Sequence, residues 1–368
     1  MGRLVVIRVD SSILSGSGHV VRCLTLAEAL RLRGGEVEFV CREHPGNLIH
    51  LIRNKGFAAH ILPAPASPPG PSDSGIDYSR WLGASQEQDS AEVITVLDGR
   101  VPEWMVVDHY GVAQTWHEKL RRHVEKLMVI DDLANRSHDC DLLLDQNLVT
   151  NADERYIGKI PSDCKALLGT MFALLQPGYA DLRSSCHPRT GPIRRILAYF
   201  GGTDIRNLTG MAIEAFQSLG RKDLELDVVL PAETSRVEEI RSRLSGSSGI
   251  RFHAGLPTLA HLMAGADLAI GAAGSTSWER CCLGLPALVV SLAENQMEIV
   301  HSLHETKVVD WIGDISDMTP RCIEKALRNA LALSTDLLRD WSLRCSEVCD
   351  GRGTERVVDN LFGGGSPA

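Results

Sequence analysis

No apolar run in this 368-residue chain approaches the roughly 18 residues that a membrane-spanning helix needs. No basic segment followed by an apolar stretch opens it either, so we expect a cytoplasmic protein with neither secretion signal nor membrane span. The ten cysteines form no Cys-x-x-Cys pair and no Cys/His spacing of zinc type, which fits reduced thiols. Basic residues are outnumbered, and the net charge of −9 argues against broad binding to nucleic acid or an anionic membrane. An acidic whole can still hold a locally positive pocket for an anionic small molecule. There is no GxxxxGK(S/T) lysine, GxGxxG is fitted poorly, and no repeat of fixed period is visible, so neither an ATP P-loop nor a dinucleotide fingerprint is supported. What is present, 44% hydrophobic and 23% charged residues, is the composition of a globular chain long enough for two domains.

The most informative segment is a strand that runs into a glycine-hinged histidine. LVVIRVD (4–10) is short, apolar and β-branched, and SSILSGSGHVVRCLTLAEAL (11–30) follows it. Gly16 and Gly18 allow a sharp turn and close approach of a ligand. From Val20 onward, Val21, Leu24, Leu26, Ala27 and Leu30 recur at helical spacing. His19 therefore lies at or just before the first turn, where free N–H groups and the helix dipole favour anions and disfavour imidazolium. It is a candidate general base beside a bound anion, or a histidine that caps or packs the helix.

A second turn of similar design is ADLAIGAAGSTSWERCCLGLP (266–286), read as a strand, a small-residue loop over 271–277 and a helix ending near Gly284 and Pro286. Backbone N–H groups around Gly274 and the hydroxyls of Ser275, Thr276 and Ser277 could hold a phosphate there. Glu279, on the first helical turn, suits a ribose diol, or serves only as a helix N-terminal charge.

Strand-like runs alternate with helical stretches along the whole chain, which implies parallel α/β sheets. The alternation restarts after residue 190, and the turn-rich stretch 176–195 reads as a linker, giving domains 1–185 and 186–368 with a final helix that can pack back on the first. Residues 62–75 form a Pro/Ser/Gly loop. Polar residues close the strands: Asp10; Asp108, His109 and Tyr110; Asp131 and Asp132; Asp145, Gln146 and Asn147; then Gly201-Gly202-Thr203-Asp204 and Ala293 to Gln296. Thr203 and Asn207 could donate to phosphate, while Gly201 and Gly202 free the backbone for close approach. One such residue is usually a turn or cap, but so many in one layer point to a ligand cleft between the halves. Asp139-Cys-Asp141 has the form of a DxD metal motif, yet precedes a strand in the other half from the phosphate loop and is expected to be structural.

In combination, GSGHVVRC (16–23), VVDHYG (106–111), IDDLANRSHDCDLLLDQN (130–147), GGTD (201–204), GAAGSTSWE (271–279) and ENQ (294–296) closely resemble the PseG family. These are the UDP-2,4-diacetamido-2,4,6-trideoxy-β-L-altropyranose hydrolases of pseudaminic acid biosynthesis, a route to flagellin glycosylation. The resemblance runs in order over almost the whole chain. It implies an α/β fold of two Rossmann-like domains facing across a cleft, like the GT-B glycosyltransferase MurG, with water as acceptor. It further implies inverting hydrolysis without metal or other cofactor, releasing UDP and free sugar. The family's catalytic histidine falls on His19, and its other cleft residues on Tyr110 and Asn295. UDP would be held through Gly201, Gly202, Thr203, Asn207, Gly274, Ser275, Thr276 and Glu279. Asp10, Gly16, Gly18, Arg22, Phe252 and Gln296 complete the expected substrate-binding set. The chain departs from the family pattern in LLGTMFALLQPGY (167–179), where Gln176 replaces arginine and Gly178-Tyr179 replaces an acidic-aromatic pair, and in Trp116-His117-Glu118. A monomer acting on a UDP-sugar is expected. The alternatives are a GT-B glycosyltransferase with another acceptor, a non-catalytic UDP-sugar-binding protein and, with weaker motif support, a nucleotide-sugar 2-epimerase.

Overall fold

The computed structural model describes residues 2–65, 77–202, 204, 206–231, 236–244 and 248–363, with only the backbone of Asn295. Thr203 and most of the 62–75 loop lie outside these residues. The chain divides into two compact units, Met1–Leu174 with Arg352–Ala368, and Leu175–Gly351.

The first unit holds β1 (Arg3–Val9), β2 (Gly35–Arg42), β3 (Ala58–Leu62), β4 (Trp104–Asp108), β5 (Lys126–Ile130), β6 (Leu142–Asp145) and β7 (Lys165–Leu168). Their order is β3-β2-β1-β4-β5-β6-β7, and every pairing is parallel. The helices between them are α1 (Gly18–Leu32), α2 (Ile49–Asn54), α3 (Ser79–Leu82), α4 (Gln86–Leu97) and α5 (Gln114–Leu120). A parallel sheet covered on both faces needs apolar residues on both, which is why β1 reads as a near-continuous run. Val5, Ile7 and Val9 enter one core with Leu26 and Leu30 of α1, while Val6 enters the other with Val93 of α4 and Trp116 of α5. Alternate residues thus serve opposite faces.

The second unit repeats the design with β8 (Arg195–Tyr199), β9 (Glu225–Leu230), β10 (Ile250–Ala254), β11 (Leu268–Ala272), β12 (Ala287–Ser291) and β13 (Val309–Asp314). Their order is β10-β9-β8-β11-β12-β13, again all parallel. Its helices are α6 (Pro177–Arg183), α7 (Leu208–Ser218), α8 (Val237–Leu244), α9 (Ala260–Gly265), α10 (Thr276–Cys282), α11 (Met297–Glu305), α12 (Pro320–Leu331) and α13 (Thr335–Val348). α12 shows how the sequence specifies one. Thr319 accepts the Cys322 N–H, Pro320 occupies the first turn, and Ile323, Ala326, Leu327 and Ala330 make one buried stripe.

The last helix, α14 (Gly353–Phe362), belongs to the first unit. Val357, Val358, Leu361 and Phe362 join its core, and Trp104 Nε1 donates to the Leu361 carbonyl at 2.9 Å. Gly353 is required there, because a Cβ would overlap the Ala173 backbone. The division falls after Leu174 rather than at 185/186, because the expected linker contains α6, which packs on α9 and α10 of the second unit.

In each sheet the chain order reverses at one place, between β1 and β4 and between β8 and β11. Open α/β sheets bind ligands beyond the strand ends at such points. The Gly16–His19 turn follows β1 and Asp108–Tyr110 close β4; Gly201 follows β8 and the small-residue loop follows β11.

Candidate active site

At the first switch point the turn after β1 is held by its own serines and glycine. Gly16 adopts φ +73°, its N–H bonds the Ser12 carbonyl at 2.9 Å, and Ser12 Oγ accepts from Leu14 and Ser15. This delivers His19 to the first turn of α1, where its Nδ1 lies 2.6 Å from Asp108 Oδ1 at the end of β4. Asp108 is sealed from solvent and also receives Arg22 through Nε and Nη2, both at 2.7 Å. Arg22 Nη1 continues to Asp132 at 3.0 Å. Burial alone would push the Asp108 carboxyl up, but the Arg22 charge and the bonds from Arg22 and His19 outweigh it, holding the group far below the usual carboxylate range. Arg22 Nη2 also lies 3.2 Å from Nδ1; with the nearer carboxylate, at 2.6 Å, accepting from Nδ1–H, the Nε2 lone pair is left to accept a proton. Among the described residues Nε2 has no partner, and 11% of the side chain is exposed. Tyr110 stands edge-on to the imidazole, centroids 4.7 Å apart, and burial followed by the Asp132 charge raises its hydroxyl well above the ordinary tyrosine value.

His19, Arg22 and Tyr110 therefore meet, and Asp108 and Asp132 join them. Asp108 stood among the strand ends, but its pairing with His19 spans 89 residues of chain and leaves no local spacing to read. The signal that finds it is topological, since the ends of β1 and β4 are neighbours at the switch point. Arg22 was expected on the substrate; its guanidinium is instead tied to two carboxylates. Asp10 is tied down within its own domain as well. It is buried, receives Arg8 at 2.6 and 2.8 Å and the Arg42 N–H at 2.6 Å, and lies 3.3–3.4 Å from His109 and His44. With Asp89 and Arg42 it forms an interior ion-pair network. Asp139 and Asp141 are both held by Arg121, at 2.8 and 2.6 Å, as structural residues.

At the second switch point the loop after β11 is shorter than expected, because Gly271 and Ala272 complete the strand and Thr276 opens α10. Ala273, Ser277 and Trp278 donate to Val290, Gly274 and Ser275 carbonyls. The N–H groups of Gly274, Ser275 and Thr276 between them make no hydrogen bond among the described residues. Three consecutive free donors are an anion cradle. Gln296 Oε1 is fixed by the Leu292 N–H at 2.9 Å, and its Nε2 faces Gly274, where a Cβ would lie 3.8 Å away. Glu279 is half-buried in α10; burial raises its carboxyl to about 7, against the opposing Tyr179 hydroxyl and Arg280 charge. Tyr179, one of the departures from the family pattern, is thus a neighbour of the expected ribose ligand.

Gly201, at φ +91°, and Gly202 follow the adjacent strand β8. Asn207 is the N-cap of α7, its Oδ1 accepting the Gly210 N–H at 3.2 Å. Phe252 lies within the edge strand β10, two strands from β8. Asn295 lies in the 3₁₀ turn Glu294–Gln296, and its side chain is outside the described set. Among the described residues no group of three or more His, Cys, Asp or Glu is suited to a metal ion, and no helix is long and apolar enough to cross a membrane.

The two Rossmann-like domains define the fold of the GT-B glycosyltransferases. MurG of Acinetobacter baumannii superposes with a TM-score of 0.64 over 98% of this chain and 99% of its own, at 15% identity. MnaA of S. aureus, solved with UDP, gives 0.61 over 98% and 96%, at 14% identity. In sequence the chain is similar to an uncharacterised protein of Methanocaldococcus jannaschii, 24% identical over 80% of this chain and 57% of that one. It is similar to the UDP-2,4-diacetamido-2,4,6-trideoxy-β-L-altropyranose hydrolase of Campylobacter jejuni, 26% identical over 56% of this chain and 62% of the relative. The spore coat polysaccharide biosynthesis protein SpsG of Bacillus subtilis is 28% identical over 78% and 77%. The chain thus spans 57% and 62% of the first two relatives. No protein-family model matches it.

Proposed function

We propose that this protein is a UDP-sugar-processing enzyme of GT-B type, and specifically an inverting hydrolase that releases UDP and free sugar from a UDP-linked 2,4-diacetamido-2,4,6-trideoxy sugar. The observation that carries the reading is the His19–Asp108 pair at 2.6 Å, with Nε2 unpartnered at the switch point of the first sheet. His19 Nε2 takes a proton from water as its oxygen attacks the anomeric carbon on the face opposite the leaving group. Asp108 stabilises the imidazolium that forms, and Tyr110 fixes the ring edge-on. The C–O bond breaks and its electron pair leaves with UDP. The Gly274–Thr276 donors spread the diphosphate charge, so the leaving group needs little acid assistance. Glu279 receives the ribose hydroxyls, Gln296 flanks the cradle, and Gly201 and Gly202 border the phosphates. The likeness to the Campylobacter hydrolase supports water as acceptor and this sugar class.

The test is UDP release from a panel of UDP-diacetamido sugars with no acceptor present. Prompt release of UDP and the inverted free sugar is expected. Release only after another acceptor is added would establish a glycosyltransferase, and tight binding without turnover a UDP-sugar-binding protein.

A further inference from the structure

Among its described residues the second unit buries a cation that no carboxylate meets at ion-pair distance. Arg280, on α10, is 3% exposed. Its Nη2 donates to the Ala272 carbonyl at 2.8 Å and to Ser277 Oγ at 2.9 Å, while Nε is buried with no partner. No carboxylate among the described residues lies within ion-pair distance of it. The buried arginines of the first unit behave otherwise: Arg8, Arg22 and Arg42 each meet a carboxylate at 2.6–2.7 Å. Arg189, also without an acid, is satisfied by carbonyls of Ala266, Leu283, Met263 and Ala264. Arg280 has two acceptors for five N–H groups, and burial draws its guanidinium below the ordinary arginine value.

The place of this cation is as telling as its isolation. Both of its acceptors flank the anion cradle, Ala272 on one side of Gly274–Thr276 and Ser277 on the other. Gly271 accommodates it, since a Cβ there would overlap Nη1 and the Tyr199 carbonyl. Glu279, next in sequence, is raised to about 7 and is not a dependable anion at neutral pH. Burying a charge without a partner is costly, and a fold retains one where something else completes the pair.

We propose that Arg280 is the buried positioning cation of the diphosphate site: it holds both ends of the Gly274–Thr276 cradle, and its counter-ion is the pyrophosphate of the bound nucleotide. This rests on the assignment of UDP to that loop. Arg280 acts through the loop, by its field and by its hold on Ala272 and Ser277, and the phosphates touch the N–H donors. The expected signature is phosphate-specific. Affinity for UDP should depend on Arg280 strongly and affinity for uridine hardly at all.

Calorimetric titration of the full chain with UDP, UMP and uridine tests this, with Arg280→Gln and Arg280→Lys beside wild type. Arg280→Gln should weaken UDP by about 10- to 100-fold, the range for a lost charge-assisted interaction. UMP should lose less and uridine under about threefold, while Arg280→Lys keeps most of the UDP-to-uridine ratio. Equal losses for UDP and uridine would reduce Arg280 to packing and overturn the proposal. If Arg280→Gln does not fold, Arg280→Lys decides: a retained ratio upholds the charge, and a collapsed ratio overturns it. A wild-type protein that binds no UDP overturns the nucleotide assignment itself, an outcome distinct from a ratio that fails only in the variants.

Discussion

Replacing Asp108 by asparagine removes one charge and almost no volume, and the structure says what that does. The carboxylate carries three bonds at 2.6–2.7 Å, one from His19 and two from Arg22. An asparagine oxygen can still accept one of them, but its amide turns an N–H toward a donor. If Arg22 takes the oxygen, the imidazole loses the partner that keeps its proton on Nδ1, and Nε2 no longer presents a lone pair. A positioned base is worth about 10²–10⁴-fold, or roughly 3–5 kcal/mol at about 1.4 kcal/mol per decade. Turnover should fall within that range while UDP affinity stays within about threefold, because the nucleotide is assigned to other residues. Unpairing Arg22 also costs stability, about 3–5 kcal/mol when one partner of a buried pair is lost, so folding must be checked by thermal melting. The decisive measurement is a cycle of His19→Ala, Asp108→Asn and the double variant, scored as kcat for UDP release. Residues that act as one unit give a double variant hardly worse than the poorer single one. Losses that multiply would refute the pairing of His19 and Asp108 in catalysis, whatever the size of either effect.

Glu279→Ala should weaken UDP by about 1–3 kcal/mol, and a 2′-deoxy analogue should then bind variant and wild type alike; continued discrimination by the variant would remove Glu279 from the ribose. Glu279 also predicts a pH dependence of the unliganded protein. A carboxyl raised to about 7 in the folded state favours its protonated form there, so ionising it opposes folding as pH rises from its unfolded value toward 7. Glu279→Gln should therefore raise the melting temperature relative to wild type at pH 8 more than at pH 5, and equal shifts would count against the raised value. In ¹⁸O-water the proposed attack of His19-activated water on carbon should place the label in the free sugar and not in UDP; label in UDP would place the attack on phosphorus. Since the diphosphate is met by N–H donors, a chelator should leave turnover unchanged, and a loss restored by magnesium would contradict that.

The interior strands were legible because a parallel strand covered on both faces must be an apolar run, and VEFVC, LMVID and PALVVS are such runs. The edge strands β7 and β13 do not show such runs. KALL exposes its first two residues, and VDWIGD is half-buried almost throughout, so neither carries the pattern of its neighbours. Helix α6 was hidden differently: QPGY reads as a turn, yet Pro177 sits at a helical first turn that tolerates it. Of the site, the glycine-hinged histidine and the small-residue loop were visible because backbone geometry dictates local residue choice. The partners were not. Which partners a strand-end aspartate finds inside its own domain is settled by tertiary contacts, which the strand-end pattern does not carry. Arg8 and the Arg42 N–H decide it for Asp10, and His19 and Arg22 decide it for Asp108.

The two switch points share one backbone design and differ in electrostatics, which suits the different tasks assigned to them. In the first unit the buried arginines are matched: Arg22 by Asp108 and Asp132, Arg8 by Asp10 and Asp89, Arg42 by Asp89 and Glu92. A matched network has little left to gain from a ligand, but it fixes ring and tautomer, which a base needs before substrate arrives. Around Gly274–Thr276 the balance is left open. Three N–H donors are free, a guanidinium lacks its anion, and the nearest carboxyl is drawn toward its neutral form by burial. That arrangement is short of negative charge, and it binds an anion most strongly when the anion's charge is greatest. In C–O cleavage, negative charge grows on the diphosphate as the bond lengthens. A cradle left short of anions in the free protein therefore holds the departing UDP more tightly than the esterified one, which is the differential binding that lowers a barrier. On this argument the Arg280→Gln variant should lose kcat as well as UDP affinity, whereas a purely ground-state role would raise KM and leave kcat in place.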